Sequence, residues 1–282
     1  MKFLVTGVKG QLGYDVVREL HQRGYHDIIG IDIEELDITK ENNVHLCIVQ
    51  NNPDVIIHCA AFTAVDKAEE MSDLCYKVNV LGTRYLTEAA NKINAKILYI
   101  STDYVFDGAK EGLYEANDKP NPISVYGQTK YDGELEIKKY DKHFIIRISW
   151  VFGKNGNNFV KTMVRLGKEK DSLNIVNDQF GSPTYTKDLS RLIVDMAVTE
   201  KYGTYHATNE GVCTWYEFTK EIFRLMGITI PVYSITTNQY PTIAKRPMNS
   251  KMSKSKLDES GFQRLRDWKI ALKDFLNEIE EI

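Results

Sequence analysis

The sequence predicts an α/β chain whose first half is a doubly wound parallel sheet, and three observations carry that expectation. Short apolar runs recur at Lys2–Thr6, Ile28–Ile33, Val55–His58, Lys96–Ile100 and Phe144–Ile148. Helical patterns separate them, at Gln11–Arg23, Lys40–Gln50, Asp73–Lys92 and Val125–Lys139. A glycine-rich turn, Gly7-Val8-Lys9-Gly10-Gln11-Leu12-Gly13, joins the first run to the first helix.

Runs of four to six apolar residues suit strands buried on both faces, as parallel strands are. Their alternation with helices predicts right-handed crossovers and a Rossmann-type sheet. We therefore place a dinucleotide-binding domain at 1–150. The second half, 151–282, is less regular. Asn155–Asn158 and Asp178–Thr184 read as loops. Helices are expected at Phe159–Glu169, Lys187–Val198, Trp215–Met226 and Trp268–Glu280. Short strands are expected at Leu173–Val176, Thr204–Ala207 and Val232–Ile235. This half is expected to be mainly a smaller C-terminal substrate-binding lobe, with some elements returning to the main sheet.

Composition narrows the function. The chain has 282 residues, enough for a large core. A net charge of -3 and the lack of a Lys/Arg block argue against nucleic-acid binding. Four cysteines, Cys47, Cys59, Cys75 and Cys213, are widely spaced with no C-x-x-C. They suit reduced thiols in a cytoplasmic protein. The N-terminus lacks a signal-peptide layout, and no apolar run is long enough to span a membrane.

A dinucleotide turn brings backbone close to a diphosphate, so it needs residues without a Cβ. The diphosphate then sits at the next helix N-terminus, where free N–H groups and the dipole favour an anion. Gly7, Gly10 and Gly13, with Gln11 and Leu12 between them, have the spacing G-x-x-G-x-x-G. By itself this is equally the spacing of a tight turn. Its context adds weight: a strand precedes, a helix follows, and Asp32 ends the second strand 19 residues after Gly13. A carboxylate there can hold the adenosine ribose hydroxyls.

The catalytic candidates lie downstream. Reducing a ketone requires a proton for the nascent alkoxide. Tyr126 and Lys130, at i and i+4, share one helix face. A nearby ammonium makes a phenol more acidic than its usual value of about 10. Thr102 ends an apolar strand, where open α/β sheets place ligands. A solvated Tyr/Lys pair is common on helices, so Thr102 and the glycine turn lend this pair its meaning.

At these residues the chain resembles the short-chain dehydrogenase/reductase superfamily, in its extended, nucleotide-sugar-acting branch. Closer still, it is similar to the family in that branch that completes dTDP-L-rhamnose synthesis. The likeness runs nearly end to end. It includes Gly7–Gly13, Ala60–Glu69, Ser101–Gly108, Val125–Gly127, Ser149–Val151, Asn177–Thr184 and Arg246–Ser250. The resemblance implies reduction of the 4-keto group of dTDP-4-dehydro-6-deoxy-L-mannose, with Tyr126 as proton donor. It implies that Ala61, Phe62 and Thr63 line the cofactor, that Asp37 and Ile38 flank its adenine, and that Lys130 also binds its ribose. Thr102, Asp103 and Tyr104 should face the sugar, Trp150 should lie beside it, and Arg246 should meet the nucleotide diphosphate. Some relatives bind magnesium between subunits. Asp15 and Glu278 lie near the corresponding places, but Lys187 stands where a carboxylate is expected. We therefore assign no metal and expect a monomer or weak homodimer.

Two alternatives stay open. One is another nucleotide-sugar enzyme of the superfamily. A dehydratase would need Asp-Glu after Thr102, whereas Asp103-Tyr104 stands there; a 4-epimerase would use the same triad. The other is a non-catalytic dinucleotide-binding regulatory subunit. For the cofactor the signs are mixed. Asp32 favours NADH, while Lys9 and the resemblance favour NADPH, so we expect NADPH with NADH also accepted.

Overall fold

The computed structural model describes residues 1–280. Six parallel strands form the central sheet: β1 (Phe3–Thr6), β2 (Ile28–Ile31), β3 (Val55–His58), β4 (Lys96–Thr102), β5 (His143–Ile148) and β6 (Gly203–His206). Their order is β6-β5-β4-β3-β1-β2. The order reverses at β1, so a crevice opens between the loops that follow β1 and β3; ligands of open α/β sheets bind at such switch points.

The longer helices are α1 (Gln11–Gln22), α2 (Glu41–Asn51), α3 (Thr83–Lys92), α4 (Val125–Ile137), α5 (Phe159–Glu169), α6 (Thr186–Ala197), α7 (Trp215–Met226) and α8 (Trp268–Glu280). Side-chain alternation along the strands divides the core. Phe3, Val5 and Ile57 pack with Val16 and Leu20 of α1 and Leu189 and Ile193 of α6. Leu4, Ile56 and Ile97 pack on the other face, against Val44 and Ile48 of α2 and Leu86 of α3. A third core joins Phe152, Met163, Phe218, Phe223, Trp268 and Phe275 under α5, α7 and α8.

Local chemistry sets the helix ends. At α7, Thr214 and Glu217 form a reciprocal capping box, and Gly227 closes the helix in the left-handed region. Asn158 caps α5 by accepting from the Lys161 amide. These signals are local, and both helices keep the bounds their sequence predicts.

Several elements depart from expectation; the loop expected over Asp178–Thr184 carries the short strands Phe180–Gly181 and Thr184–Tyr185. The helix expected over Asp73–Lys92 is broken into Ser72–Tyr76, a π-helical turn at Lys77–Gly82, and α3, and a further short helix, Val65–Glu70, precedes it. The π turn directs Asn79 toward the loop after β3. Strand β2 stops at Ile31 because Asp32 turns its carboxylate onto the Ile33 amide while Glu35 takes the Asp32 amide. Strand β4 runs two residues further than Ile100 because Ser101 and Thr102 pair with Arg147 and Ile148 of β5.

A buried ion pair locks α4 to the sheet. Arg147 donates from Nε and Nη2 to the two oxygens of Glu134, at 2.8 and 2.7 Å, and Ser101 Oγ adds a third donor at 2.6 Å. Arg147 is 1% exposed and Glu134 0%. Removing one partner of such a pair leaves an uncompensated buried charge. Glu134→Ala should therefore cost about 3–5 kcal/mol of stability. Urea unfolding followed by circular dichroism measures this; a loss under about 1 kcal/mol would mean that water satisfies the Arg147 guanidinium.

Candidate active site

The turn after β1 is built by close approach of backbone to backbone. Gly7 has φ +71°, and a Cβ on it would lie 2.8 Å from the Ala60 amide nitrogen. A Cβ on Gly13 would lie 2.2 Å from the Gly7 carbonyl oxygen. Helix α1 begins at once, with no side-chain cap and no acidic residue in its first turn. Its first-turn N–H groups meet no carboxylate from the helix itself. This cradle fits a dinucleotide diphosphate. Asp32 Oδ2 accepts the Lys9 amide at 2.9 Å and so braces the turn. The Lys9 ammonium donates to Glu34 at 2.7 Å. Asp37 accepts from the Thr39 amide and hydroxyl, which holds its carboxylate below the usual range.

The loop after β3 supplies the second wall. Asn79 Oδ1 accepts the Phe62 amide at 2.8 Å, and Asn79 Nδ2 donates to the Phe62 carbonyl and to Thr129 Oγ1. The π-helical turn thus pins the loop carrying Ala61, Phe62 and Thr63. A cavity of about 620 Å³ lies between the two loops. Of the residues singled out from sequence, Gly7, Gly10, Gln11, Leu12, Gly13, Asp32, Asp37, Ile38, Ala61, Phe62, Thr63, Thr102, Asp103, Tyr104, Tyr126, Lys130 and Trp150 all line it. Arg246 does not. A groove of about 770 Å³ lies elsewhere, between α7 and the start of α8, away from these residues.

Thr102, the last residue of β4, donates from Oγ1 to Asp103 Oδ1 at 3.0 Å and accepts the Tyr104 amide at 3.2 Å. The Lys130 ammonium donates to the Ile100 carbonyl at 2.6 Å and lies 3.9 Å from the Tyr99 ring centroid. Burial pulls Lys130 down to about 7, opposed by the Glu134 carboxylate one turn on. Burial also raises the Tyr126 phenol above its ordinary value, and the Thr102 hydroxyl draws it back in part. The expected acidification of Tyr126 by Lys130 is thus outweighed. Taking the phenol out of water disfavours phenolate more strongly, and the Lys130 ammonium is turned to a carbonyl.

The substrate side is aromatic. Tyr104 meets Tyr126 edge to face, with centroids 5.5 Å apart. Trp150 adopts φ +50°, a left-handed conformation uncommon for a bulky residue. It is held there by Trp215, stacked at 3.6 Å, and by Gly181, whose missing Cβ would meet the Trp150 ring at 2.6 Å. Arg246 donates to the Tyr104 hydroxyl at 3.1 Å and to Asp66 at 2.7 Å. Its fork is engaged within the protein, beside the cavity rather than in its wall.

Sequence reasoning missed Asn79, Asp66, Trp215 and Ser250. Asp66 and Ser250 lie inside blocks that carry the family likeness. Asn79 and Trp215 had no local signal, because each acts across 17 to 65 residues on Phe62 or Trp150.

A glycine cradle at a helix N-terminus, with a Thr, Tyr and Lys set in the same cavity, defines a dinucleotide-dependent oxidoreductase of the short-chain dehydrogenase/reductase kind. A family model, RmlD substrate binding domain, matches residues 1–281. The dTDP-4-dehydrorhamnose reductase of Aggregatibacter actinomycetemcomitans is 43% identical, over 97% of each chain. The crystal structure of the dTDP-4-dehydrorhamnose reductase from Clostridium acetobutylicum superposes with a TM-score of 0.97 at 43% identity, covering 99% of this chain and 100% of that one. The Bacillus anthracis structure, in complex with NADP, gives 0.95 at 43% identity, covering 99% and 100%. The chain belongs to the dTDP-4-dehydrorhamnose reductase family.

The cradle is directly testable. Gly13→Ala forces a methyl group into the Gly7 carbonyl and must reshape the turn. NADPH affinity should fall at least about tenfold, equivalent to 1.4 kcal/mol. Titration calorimetry measures it; an unchanged Kd would place the diphosphate elsewhere.

Proposed function

We propose that this chain reduces the 4-keto group of dTDP-4-dehydro-6-deoxy-L-mannose to dTDP-L-rhamnose with NADPH, and that Tyr126 delivers the proton. The observation that carries this reading is the shared cavity: Thr102, Tyr126 and Lys130 line the same space as the glycine cradle. When bound, NADPH supplies the hydride. The chain's own residues do the rest. The α1 N-terminus and Gly7–Gly13 hold the diphosphate, and Lys130 holds the nicotinamide ribose. The Tyr126 phenol, kept neutral by burial, enters the reaction carrying its proton and gives it to the forming alkoxide. Its phenolate then develops on the same helix face as Lys130, whose protonated form favours it although burial pulls Lys130 down to about 7. Thr102 holds the sugar by its hydroxyl, and Trp150 forms a flat wall beside the deoxysugar.

Relatives at 35–43% identity carry the reductase name, which favours reduction over epimerisation or a purely regulatory role. NADH is also accepted in this reading, because Asp32, Glu34 and Glu35 cluster where the adenosine ribose would sit and Lys9 is engaged by Glu34. The chain acts in the cytoplasm as a monomer or weak homodimer, with no metal assigned. Asp15 and Glu278 are already met within the chain by Thr186, Arg18, Tyr185 and Lys187.

The decisive assay supplies the 4-keto sugar nucleotide and follows NADPH absorbance. Stoichiometric loss is expected; conversion without net loss would indicate an epimerase. Tyr126→Phe should slow turnover by roughly 10²–10⁴-fold, the usual worth of a positioned general acid, with little change in cofactor affinity. Turnover near wild type would remove Tyr126 from the proton step. If substrate draws the Arg246 fork from Asp66 and Tyr104 onto the nucleotide diphosphate, Arg246→Ala should raise KM more than it lowers kcat, since such a contact is made equally in ground and transition states. A collapse in kcat at constant KM would rule out a diphosphate role for Arg246.

A further inference from the structure

Trp150 lines the cavity and Trp215 does not. The two indoles are stacked at 3.6 Å with their planes 13° apart, so Trp215 covers one face of the Trp150 ring. We propose that Trp215 is a positioning residue for the reduction: it fixes the plane of the Trp150 ring, and through that ring the orientation of the keto sugar. This rests on the reductase reading above and extends it to the first turn of α7.

The backbone at Trp150 is fixed on its own account. The Trp150 carbonyl accepts the Thr184 amide at 3.1 Å, and the Ser149 carbonyl accepts the Thr184 hydroxyl at 2.6 Å. With the left-handed φ, these bonds set the direction in which the side chain leaves the chain. They leave its two side-chain torsions open. Two contacts close them. Gly181 packs on the ring where no Cβ would fit, and Trp215 lies flat on it. Stacked aromatic pairs gain attraction beyond their buried area, so the ring has one preferred plane.

Trp215 can do this because it is itself held. Its Nε1 donates to Gln179 Oε1 at 3.2 Å, and the buried Gln179 donates on to Thr237 Oγ1 at 3.1 Å. Phe159 of α5 packs on the indole, with centroids 4.5 Å apart. The backbone of Trp215 opens α7 beside Thr214, which caps that helix and donates to Asn177 at 2.7 Å. A sugar held by its nucleotide stays in the site when the Trp150 ring turns. Fewer of the bound sugars then present the keto carbon to Tyr126, so the loss falls on kcat rather than KM.

The test compares wild type, Trp215→Leu and Trp215→Phe by steady-state rates with the keto sugar nucleotide and NADPH. Leucine keeps an apolar side chain under α7 without a flat ring; phenylalanine keeps a flat ring without the indole N–H. In Trp215→Leu, kcat should fall about ten- to hundredfold while KM stays within about threefold. In Trp215→Phe, kcat should stay within about threefold of wild type, because the stacking face remains. NADPH affinity should be unchanged in both. Adding Trp215→Leu to Trp150→Ala should cost nothing further, since the one residue acts through the other. Wild-type kcat in Trp215→Leu, an equal loss in Trp215→Phe, or an additive loss in the double variant would overturn the proposal. Proton–nitrogen NMR of the Trp150 indole, assigned by its loss in Trp150→Ala, needs no substrate. Its signal should be single in wild type and broadened or doubled in Trp215→Leu. One sharp signal in Trp215→Leu would overturn the proposal even if the reductase reading fails, which would show separately as no NADPH oxidation by wild type.

Discussion

The molecule is organised around a place where there is no room for side chains. Gly7 lies against the backbone of Ala60, and Gly13 lies against the carbonyl of Gly7. That contact sets how near the loops after β1 and β3 can come, and so the width of the crevice between them. Asn79 can pin the second loop only because a π-helical turn aims its side chain there. Gly82, at the end of that turn, packs on Ile38, where a Cβ would come within 2.9 Å. Cofactor-side geometry is therefore set by backbone contact at the glycine turn and carried onward by the Asn79 and Ile38 side chains.

A second theme is the removal of water from the far end of the cavity. Burial moves Lys130 down and Tyr126 up, so each is driven toward its neutral form. The Glu134–Arg147 pair lies behind them and is satisfied by Ser101, which keeps α4 fixed to the extended end of β4. Groups held this firmly need little rearrangement when the Tyr126 phenol gives up its proton.

Much of this was legible in the sequence, for reasons that differ by element. Strands β1 and β3 to β5 follow from apolar runs that leave little freedom. Helices α5 and α7 follow from local caps and a clear apolar stripe, and α8 from its apolar stripe. The glycine turn, Thr102, Tyr126 and Lys130 could be read because a turn and a helix face are short-range objects. The break in the helix over 72–92 could not, because Asn79 answers to Phe62 and Thr129, which only the folded chain brings near. Arg246 was read from the family resemblance, which does not reveal that Asp66 and Tyr104 take its fork in this structure. The electrostatics of Tyr126 escaped for a similar reason, since helical spacing carries a charge pair but not the loss of water around it.

Trp150 has a consequence for how this chain can change over evolution. A bulky residue at φ +50° carries a backbone cost of order 1–3 kcal/mol, offset here by its stack on Trp215 and the gap at Gly181. Glycine or asparagine would relieve that backbone cost, but would lose the stack on Trp215 and open the wall of the cavity. A search for stabilising substitutions guided by backbone geometry alone would therefore choose a residue here that weakens both the packing and the site.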